Sequence, residues 1–261
     1  QFIIADTSAW MRRSIQDPPN ETAIRGSREG FTENIEANVS MLKRLIKNKN
    51  LVIENMIVGA RSETDLCLVY VDDIIDKDIL DEIRKRLKAI DIDAPLATGV
   101  IEQLLEDYAY TPFPQSFGTE RPDVVTSSIL EGRAAIILDG TPYVITYPST
   151  IVDFFQTVED YYQKTMLAVF TRLLRFIAAT LVYTLPSLYL ALIKFNSELI
   201  PIKFVLPIVQ SRKGVALTPF MEILSMMFVI ELLRESGLRL PTKISQAVSV
   251  VGGFIIGNAA L

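Results

Sequence analysis

Arg25 and Arg28 belong to a glycine-broken run, Arg25-Gly26-Ser27-Arg28-Glu29-Gly30-Phe31, that abuts an amphipathic segment. Backbone amides exposed in such a run could cradle an anion. The same residues also suit a plain turn at a helix start, or a surface read by another chain, since two arginines beside an aromatic are typical of interfaces. No Gly-Lys-Ser/Thr element and no dinucleotide glycine spacing is present, so neither nucleotide-binding pattern is met. A second group, Asp72, Asp73, Asp76 and Asp78, could hold a divalent cation. Its place between a strand end and a helix start also fits capping and solvation. A third pair, Glu222 and Glu231, lies in an otherwise apolar stretch. Nine residues apart, at about 100° per residue, the two project to opposite sides of a helix. Carboxylates at membrane depth face protein or a water-filled path, which makes both candidate intramembrane polar or pore residues. For Glu231, pairing with Arg234 one turn on is the competing reading.

The chain contains no histidine, which removes Ser/His and Cys/His catalysis and most zinc sites together. The single cysteine, Cys67, sits in the apolar run "DLCLVYV" and reads as core. No catalytic residue, cofactor-binding residue or metal ligand is assigned, and no enzyme activity is expected.

Charge and hydropathy divide the chain. Of 261 residues, 49% are hydrophobic, and the mean hydropathy is +0.30. From Phe176 onward there are seven basic and four acidic residues, net +3, so the remainder carries −8 of the total −5. The reading is an acidic part in water followed by a mildly basic part in lipid.

In the first part "FIIAD" and "RRSIQ" read as short strands, with Pro18-Pro19 as a break. Ile35, Val39, Leu42 and Ile46 mark one helix face, with Lys43, Arg44, Lys47 and Lys49 at its C-terminal end, where the helix dipole favours cations. "LVIENMIVG" and "TDLCLVYVD" are strands joined by a polar turn. "DKDILDEIRKRLKAI" is a helix with the stripe Ile79, Ile83, Leu87 and Ile90. A helix over 100–108 follows, and another runs from Pro122, a favoured first-turn position, to Gly132. "RAAIILDGTPYVITYP" predicts a hairpin with Asp139-Gly140 at its tip. "IVDFFQTVEDYYQK" predicts a last helix before the membrane. The fold class expected is an α/β soluble domain of two small subdomains with mixed sheets, followed by an α-helical transmembrane region. The boundaries are 1–50, 51–165 and 166–261. The first and last parts are expected to be incomplete, because both ends read as cut.

Residues 176–193 form eighteen positions without a charge, flanked by Arg172, Arg175 and Lys194, just enough for a span with snorkelling flanks. Pro186 inside it should kink the helix. "TPFMEILSMMFVIELLRESG" is a helix opened by Pro219 and closed by Gly237. The apolar stretch 244–261 contains Gly253 and Gly257 at the spacing that lets two membrane helices approach closely.

"IRGSREGFTENIEANVSMLKRLIK", "RKRLKAIDID", "FPQSFGTERPDVVTSSILEGRAAIILDGTPYVITYP" and "DFFQTVEDYY" resemble the GerA family. These are the A-type subunits of bacterial spore germinant receptors and their stage V sporulation relatives. "LPSLYLALIKFNSELIP" and "LRESGLRLPTKISQAVSVVGGFIIGNAAL" extend the resemblance to nearly the whole chain. It implies a domain of two α/β subdomains on the spore-core side, then several helices in the inner spore membrane. It also implies a complex with a transporter-like B subunit and a lipoprotein C subunit, and a homo-oligomeric, ion-conducting assembly that turns nutrient sensing into ion release. No nucleic-acid partner is expected. On this resemblance the run from Arg25 to Phe31 reads as a shaped turn serving assembly contacts. A transporter-like membrane protein with a regulatory cytosolic domain is the alternative.

Overall fold

The computed structural model describes residues 17–18, 21, 26–108, 110–111, 113–195, 203, 210, 217–239, 250–254 and 257. The expected strands "FIIAD" and "RRSIQ", the residue Arg25, and most of the stretches 196–216 and 240–261 lie outside them. The chain divides into two compact units, Gln1–Leu173 and Leu174–Leu261.

In the first unit the element order is α1 (Ile35–Leu45), β1 (Leu51–Val58), β2 (Thr64–Val71), α2 (Lys77–Ala89), α3 (Thr98–Leu105), β3 (Phe117–Thr119), α4 (Pro122–Leu130), β4 (Ala134–Leu138) and β5 (Val144–Tyr147). A 3-10 turn at Asp153–Phe155 and α5 (Val158–Tyr162) complete it, and α6 (Thr165–Phe195) continues into the second unit. The strands form one sheet in the order β1-β2-β4-β5-β3. Every pairing is antiparallel, where mixed sheets were expected. Two of the four pairings, β1–β2 and β4–β5, are made by tight turns. Gly59 and Glu63 take positive φ in the β1–β2 turn, and Gly140 does so at the β4–β5 tip, as the Asp-Gly pair predicts.

The apolar run in β2 follows from burial on both faces. Leu66, Leu68 and Tyr70 pack with Leu80, Ile83, Leu87, Ile101 and Leu105 beneath α2 and α3. Cys67, Val69 and Val71 point the other way, toward Phe31, Ile35, Leu42, Val125 and Ile129 beneath α1 and α4. The core is therefore two apolar layers on either side of the sheet. The position expected to divide two subdomains, Asn50, falls between α1 and β1, and its carbonyl accepts from the Asp72 amide at 2.9 Å.

Two helix phases differ in detail from their sequence reading. In α2 the buried stripe is Leu80, Ile83 and Leu87, while Ile79 is exposed. Asp76 caps the helix through the amides of Asp78 and Ile79, and this start fixes which side meets the sheet. In α1 the inward face includes Asn38, fully buried, whose side chain exchanges hydrogen bonds with the Thr32 backbone at 2.8 and 2.6 Å.

Among the described residues one helix, α6, is long and apolar enough to cross a membrane by length and composition. It carries Pro186 internally and continues on both sides of it. A further helix, α7 (Pro219–Arg239), lies in the second unit, where residues 250–254 are also helical.

Candidate functional site

The glycine-broken run folds over a buried arginine, Arg121. Arg121 is the residue before α4, and Pro122 in the first turn leaves no backbone donor there to satisfy. Its side chain is 1% exposed. Nε and Nη2 donate to the two carboxylate oxygens of Asp123 at 3.1 and 2.8 Å. Nη1 donates to the Glu21 carbonyl at 3.1 Å and Nη2 to the Ser27 carbonyl at 2.8 Å. The planar fork suits this arrangement, one bidentate carboxylate and two backbone acceptors.

The remaining bonds tie the run down. The Phe31 amide donates to the Glu120 carbonyl at 2.8 Å, and Phe31 itself is buried against α1 and α4. Glu29 pairs with Arg44, and its amide donates to Ser27 Oγ at 3.2 Å. Gly30 is buried and Arg28 exposed. Gly26 has φ of +124°, a conformation that side chains rarely adopt, and a Cβ there would run into the ring of Tyr162. The Tyr162 hydroxyl in turn donates to Asp123 Oδ2 at 2.6 Å. The geometry of the run opposes the anion-cradle reading. The carbonyls of Glu21 and Ser27 point inward at the protein's own cation, which is the opposite of an amide cradle for an anion. Glu21 is held with its carboxyl pKa raised, by burial foremost, and accepts from the Thr119 hydroxyl.

A separate set of bonds from α5, the short helix that holds Tyr162, reaches the start of α6. Asp160 in α5 has a side chain only 2% exposed and accepts from Arg172 Nε at 3.1 Å. It also accepts from Thr171 Oγ1 at 3.4 Å and from the Thr157 amide at 3.1 Å. The Arg172 guanidinium lies over the Tyr161 ring, 5.7 Å from its centroid, a cation–π arrangement. Alongside, Arg133 and Asp153 form a two-pronged pair at 2.6 and 2.9 Å. The last short helix of the first unit is thus fixed to the first turns of α6 by a buried carboxylate.

Other titratable groups are held in place by hydrogen bonds. Tyr70, Glu54 and Arg84 form a triad in which the Tyr70 hydroxyl donates to Glu54 at 2.5 Å and Arg84 Nε donates to the other carboxylate oxygen at 3.0 Å. Burial, then the Glu54 carboxylate, push the tyrosine pKa up to about 12, so it stays protonated. Hydrogen bonding from Arg84 holds Glu54 below the usual carboxylate range. Cys67 donates to Asn55 Oδ1 at 3.1 Å, and burial pushes its thiol up. Of the four clustered aspartates, Asp76 caps α2 and Asp72 pairs with Lys77 at 2.5 Å. A cavity of about 630 Å³ lies between α2 and the loops around Phe113 and Pro148, with Glu82, Arg86 and Asp107 on its wall. Arg86 is turned toward Glu82, Asp107 and the Leu105 carbonyl.

In the second unit Glu222 occupies the first turn of α7, its amide bonded to the Thr218 carbonyl at 2.9 Å. Ser225, one turn on, donates its hydroxyl to the Glu222 carbonyl at 2.8 Å. Glu231 pairs with Arg234 at 2.6 Å. At Gly253 and Gly257 nothing among the described residues lies within 4 Å of where a Cβ would stand.

Sequence reasoning missed Arg121, Asp123, Asp160 and Tyr162. "RPD" before a helix was the available signal, and its acceptors at Glu21 and Ser27 lie 100 and 94 positions away.

Over residues 1–261 the sequence matches the family described as Bacillus/Clostridium GerA spore germination protein. It is 44% identical over 261 residues to "Spore germination protein KA" of Bacillus subtilis (strain 168), covering 100% of this chain and 48% of that protein. It is 40% identical over 259 residues to "Spore germination protein GerLA" of Bacillus cereus, covering 99% of this chain and 53% of that protein. The chain therefore spans about half the length of the relatives it matches. Among solved structures, the N-terminal domain of the A subunit of the Bacillus megaterium spore germinant receptor GerK3 is 48% identical. That match covers 47% of this chain and 97% of that one, with a TM-score of 0.39.

Proposed function

The chain belongs to the GerA family of spore germination proteins, and on that premise we propose that it is part of a membrane subunit of a spore germinant receptor. In this reading it converts nutrient sensing into ion release. The observation that carries the reading is the Asp160–Arg172 pair, which fixes the end of the soluble unit to a helix with the length and composition of a membrane span. A force or rotation applied to α5 must then act on α6, because breaking the pair would strand a buried carboxylate. No reaction is assigned to the chain; its role is sensing and coupling.

The finer parts of the proposal follow from charge and from the family. Arg172 and Arg175 stand before the uncharged stretch and Lys194 after it, a bias that supports a cytoplasmic, spore-core side for the first unit. The protein sits in the inner spore membrane as a multi-pass subunit beside a transporter-like B subunit and a lipoprotein C subunit. Copies assemble so that Glu222, at the start of α7, lines a cation path in the manner of charged rings in channels. Pro186 bends its span, and Gly253 and Gly257 serve close helix packing. The domain division is that of the sequence reading, 1–50, 51–165 and 166–261.

The test is deletion of the coding gene in the organism that carries it. Spores are scored for germination on a panel of single nutrients. The proposal expects loss of the response to a subset of nutrients, restored by the intact gene. Unchanged germination on every nutrient to which the parent responds contradicts it.

A further inference from the structure

Beyond the coupling role, the geometry points to a lipid-binding edge on the first unit: we propose that the turn after β5 and the end of α5 rest in the headgroup layer of a bilayer. The inference rests on the reading of α6 as a membrane span. A helix of 31 residues is about 46 Å long at 1.5 Å per residue. A hydrocarbon core of about 30 Å takes about 20 residues, and the headgroup layers add about 5–7 Å on each side. The uncharged stretch begins at Phe176, four residues after Arg172, which sets Arg172 about 6 Å outside the hydrocarbon. Arg172 thus stands at headgroup depth, where arginine side chains settle.

Whatever packs against Arg172 shares that depth. Its partners are Asp160 and the half-exposed ring of Tyr161, an aromatic with a polar tip of the kind that collects at membrane interfaces. Beside them the turn after β5 presents Ile151, Val152 and Phe154, which are 65%, 55% and 45% exposed. The turn is held rigidly. Asp153 is locked by Arg133, and Phe154 meets Phe117 of β3 edge-on with ring centroids 5.7 Å apart. Three large apolar side chains left 45–65% exposed among the described residues, on a fixed turn, would be a liability in water. At headgroup depth they gain burial in the acyl boundary. Arg172 itself and Arg175, one residue before the uncharged stretch, supply positive charge at this depth, which suits anionic lipid. The occupant is therefore a lipid surface containing anionic headgroups.

The experiment places one tryptophan at a time in the whole 261-residue chain, with the single native tryptophan removed as Trp10→Phe. The chain is reconstituted in phosphatidylglycerol–phosphatidylethanolamine vesicles. Ile151→Trp reports on the proposed edge. Ile57→Trp is the control, exposed on β1 at the sheet edge farthest from β3. Leu181→Trp reports on the middle of α6. The expected result is strong quenching of the Ile151 reporter by lipids brominated near the glycerol level, with little from bromines at the chain ends. The Leu181 reporter, about 7 Å inside the hydrocarbon, should be quenched more by the chain-end bromines than the Ile151 reporter is, and the Ile57 reporter should be quenched only by acrylamide in water. Quenching at Leu181 without lipid quenching at Ile151 overturns the lipid edge and leaves the span intact. An Ile151 reporter shielded from acrylamide and from lipid bromines alike means that protein, a second copy or another chain, covers this face, and also overturns it. Equal lipid quenching at Ile151 and Ile57 removes its specificity and overturns it. No lipid quenching at Leu181 refutes the span and the edge with it.

Discussion

Replacing Arg121 by methionine removes the cation around which the glycine-broken run is folded. Arg121 is 1% exposed and Asp123 18%, so the substitution leaves a carboxylate with little water and two inward-facing carbonyls without donors. Breaking a buried pair from one side destabilises by about 3–5 kcal/mol. Asp123 keeps some contact with solvent and retains the Tyr162 hydroxyl, which sets the expectation at the low end, about 3 kcal/mol. For a unit of this size each kcal/mol moves Tm by about 2–4 °C, so the fall should be about 6–12 °C. The assay is scanning fluorimetry of the whole chain in nanodiscs, with limited proteolysis to locate the opened segment. Cleavage should appear first between residues 21 and 31. A second substitution, Asp123→Asn, added to Arg121→Met should recover part of the loss, since an amide can be left unpaired at lower cost than a carboxylate. Arg121→Lys should fall between, because an ammonium cannot reproduce the bidentate fork. A Tm unchanged within about 1 °C for Arg121→Met would refute the reasoning, as would a double variant less stable than the single one by the full amount of an independent change.

Gly26→Ala should destabilise the first unit by about 1–3 kcal/mol, from the positive φ and the collision with Tyr162. Adding Tyr162→Ala should relieve the collision and not the φ strain, and no change in Tm for Gly26→Ala would count against the placement of this turn. The Glu54 carboxyl has a folded pKa below its unfolded value, held there first by Arg84, so its stabilising contribution is present above the unfolded glutamate value of about 4.3. It is lost as pH falls through the depressed folded value, so Glu54→Gln should flatten the acid limb of a Tm-versus-pH curve; parallel acid limbs would rule this out. Glu222→Gln in the full-length protein should leave protein levels near normal and lower nutrient-triggered potassium efflux from spores. Efflux at the parental rate returns Glu222 to a helix-start residue in the first turn of α7, where the dipole favours an acid.

Much of the first unit was legible because its signals are local. The β2 run, the Asp139-Gly140 tip, Pro122 and the charge order of α2 each encode a structure within a few residues. What sequence left unread depends on distance in the chain. Whether Ile79 or Leu80 faces the core is decided by where Asp76 caps the helix and how the helix then lies on the sheet. The all-antiparallel order follows from β2 pairing with β4 across more than sixty intervening positions, which alternation in either strand does not reveal. Arg121 carries no local sign of burial, since its acceptors come from a run near residue 27 that shares no pattern with it. Asp160 and Arg172 are twelve residues apart across a helix break, too far for the spacing rules of one helix.

The central claim is that the first unit acts on α6, proposed as a membrane span, through Asp160 and Arg172. It is tested most directly by nutrient-triggered cation efflux from spores producing the full-length protein with Asp160→Asn, Arg172→Gln, or both. The account predicts that each single variant slows the response by about tenfold, in the range of ordinary coupling energies, at parental protein levels. The double variant should be no slower than the worse single one, because both remove the same link. Parental efflux rates in both single variants, or losses that multiply in the double, would contradict it.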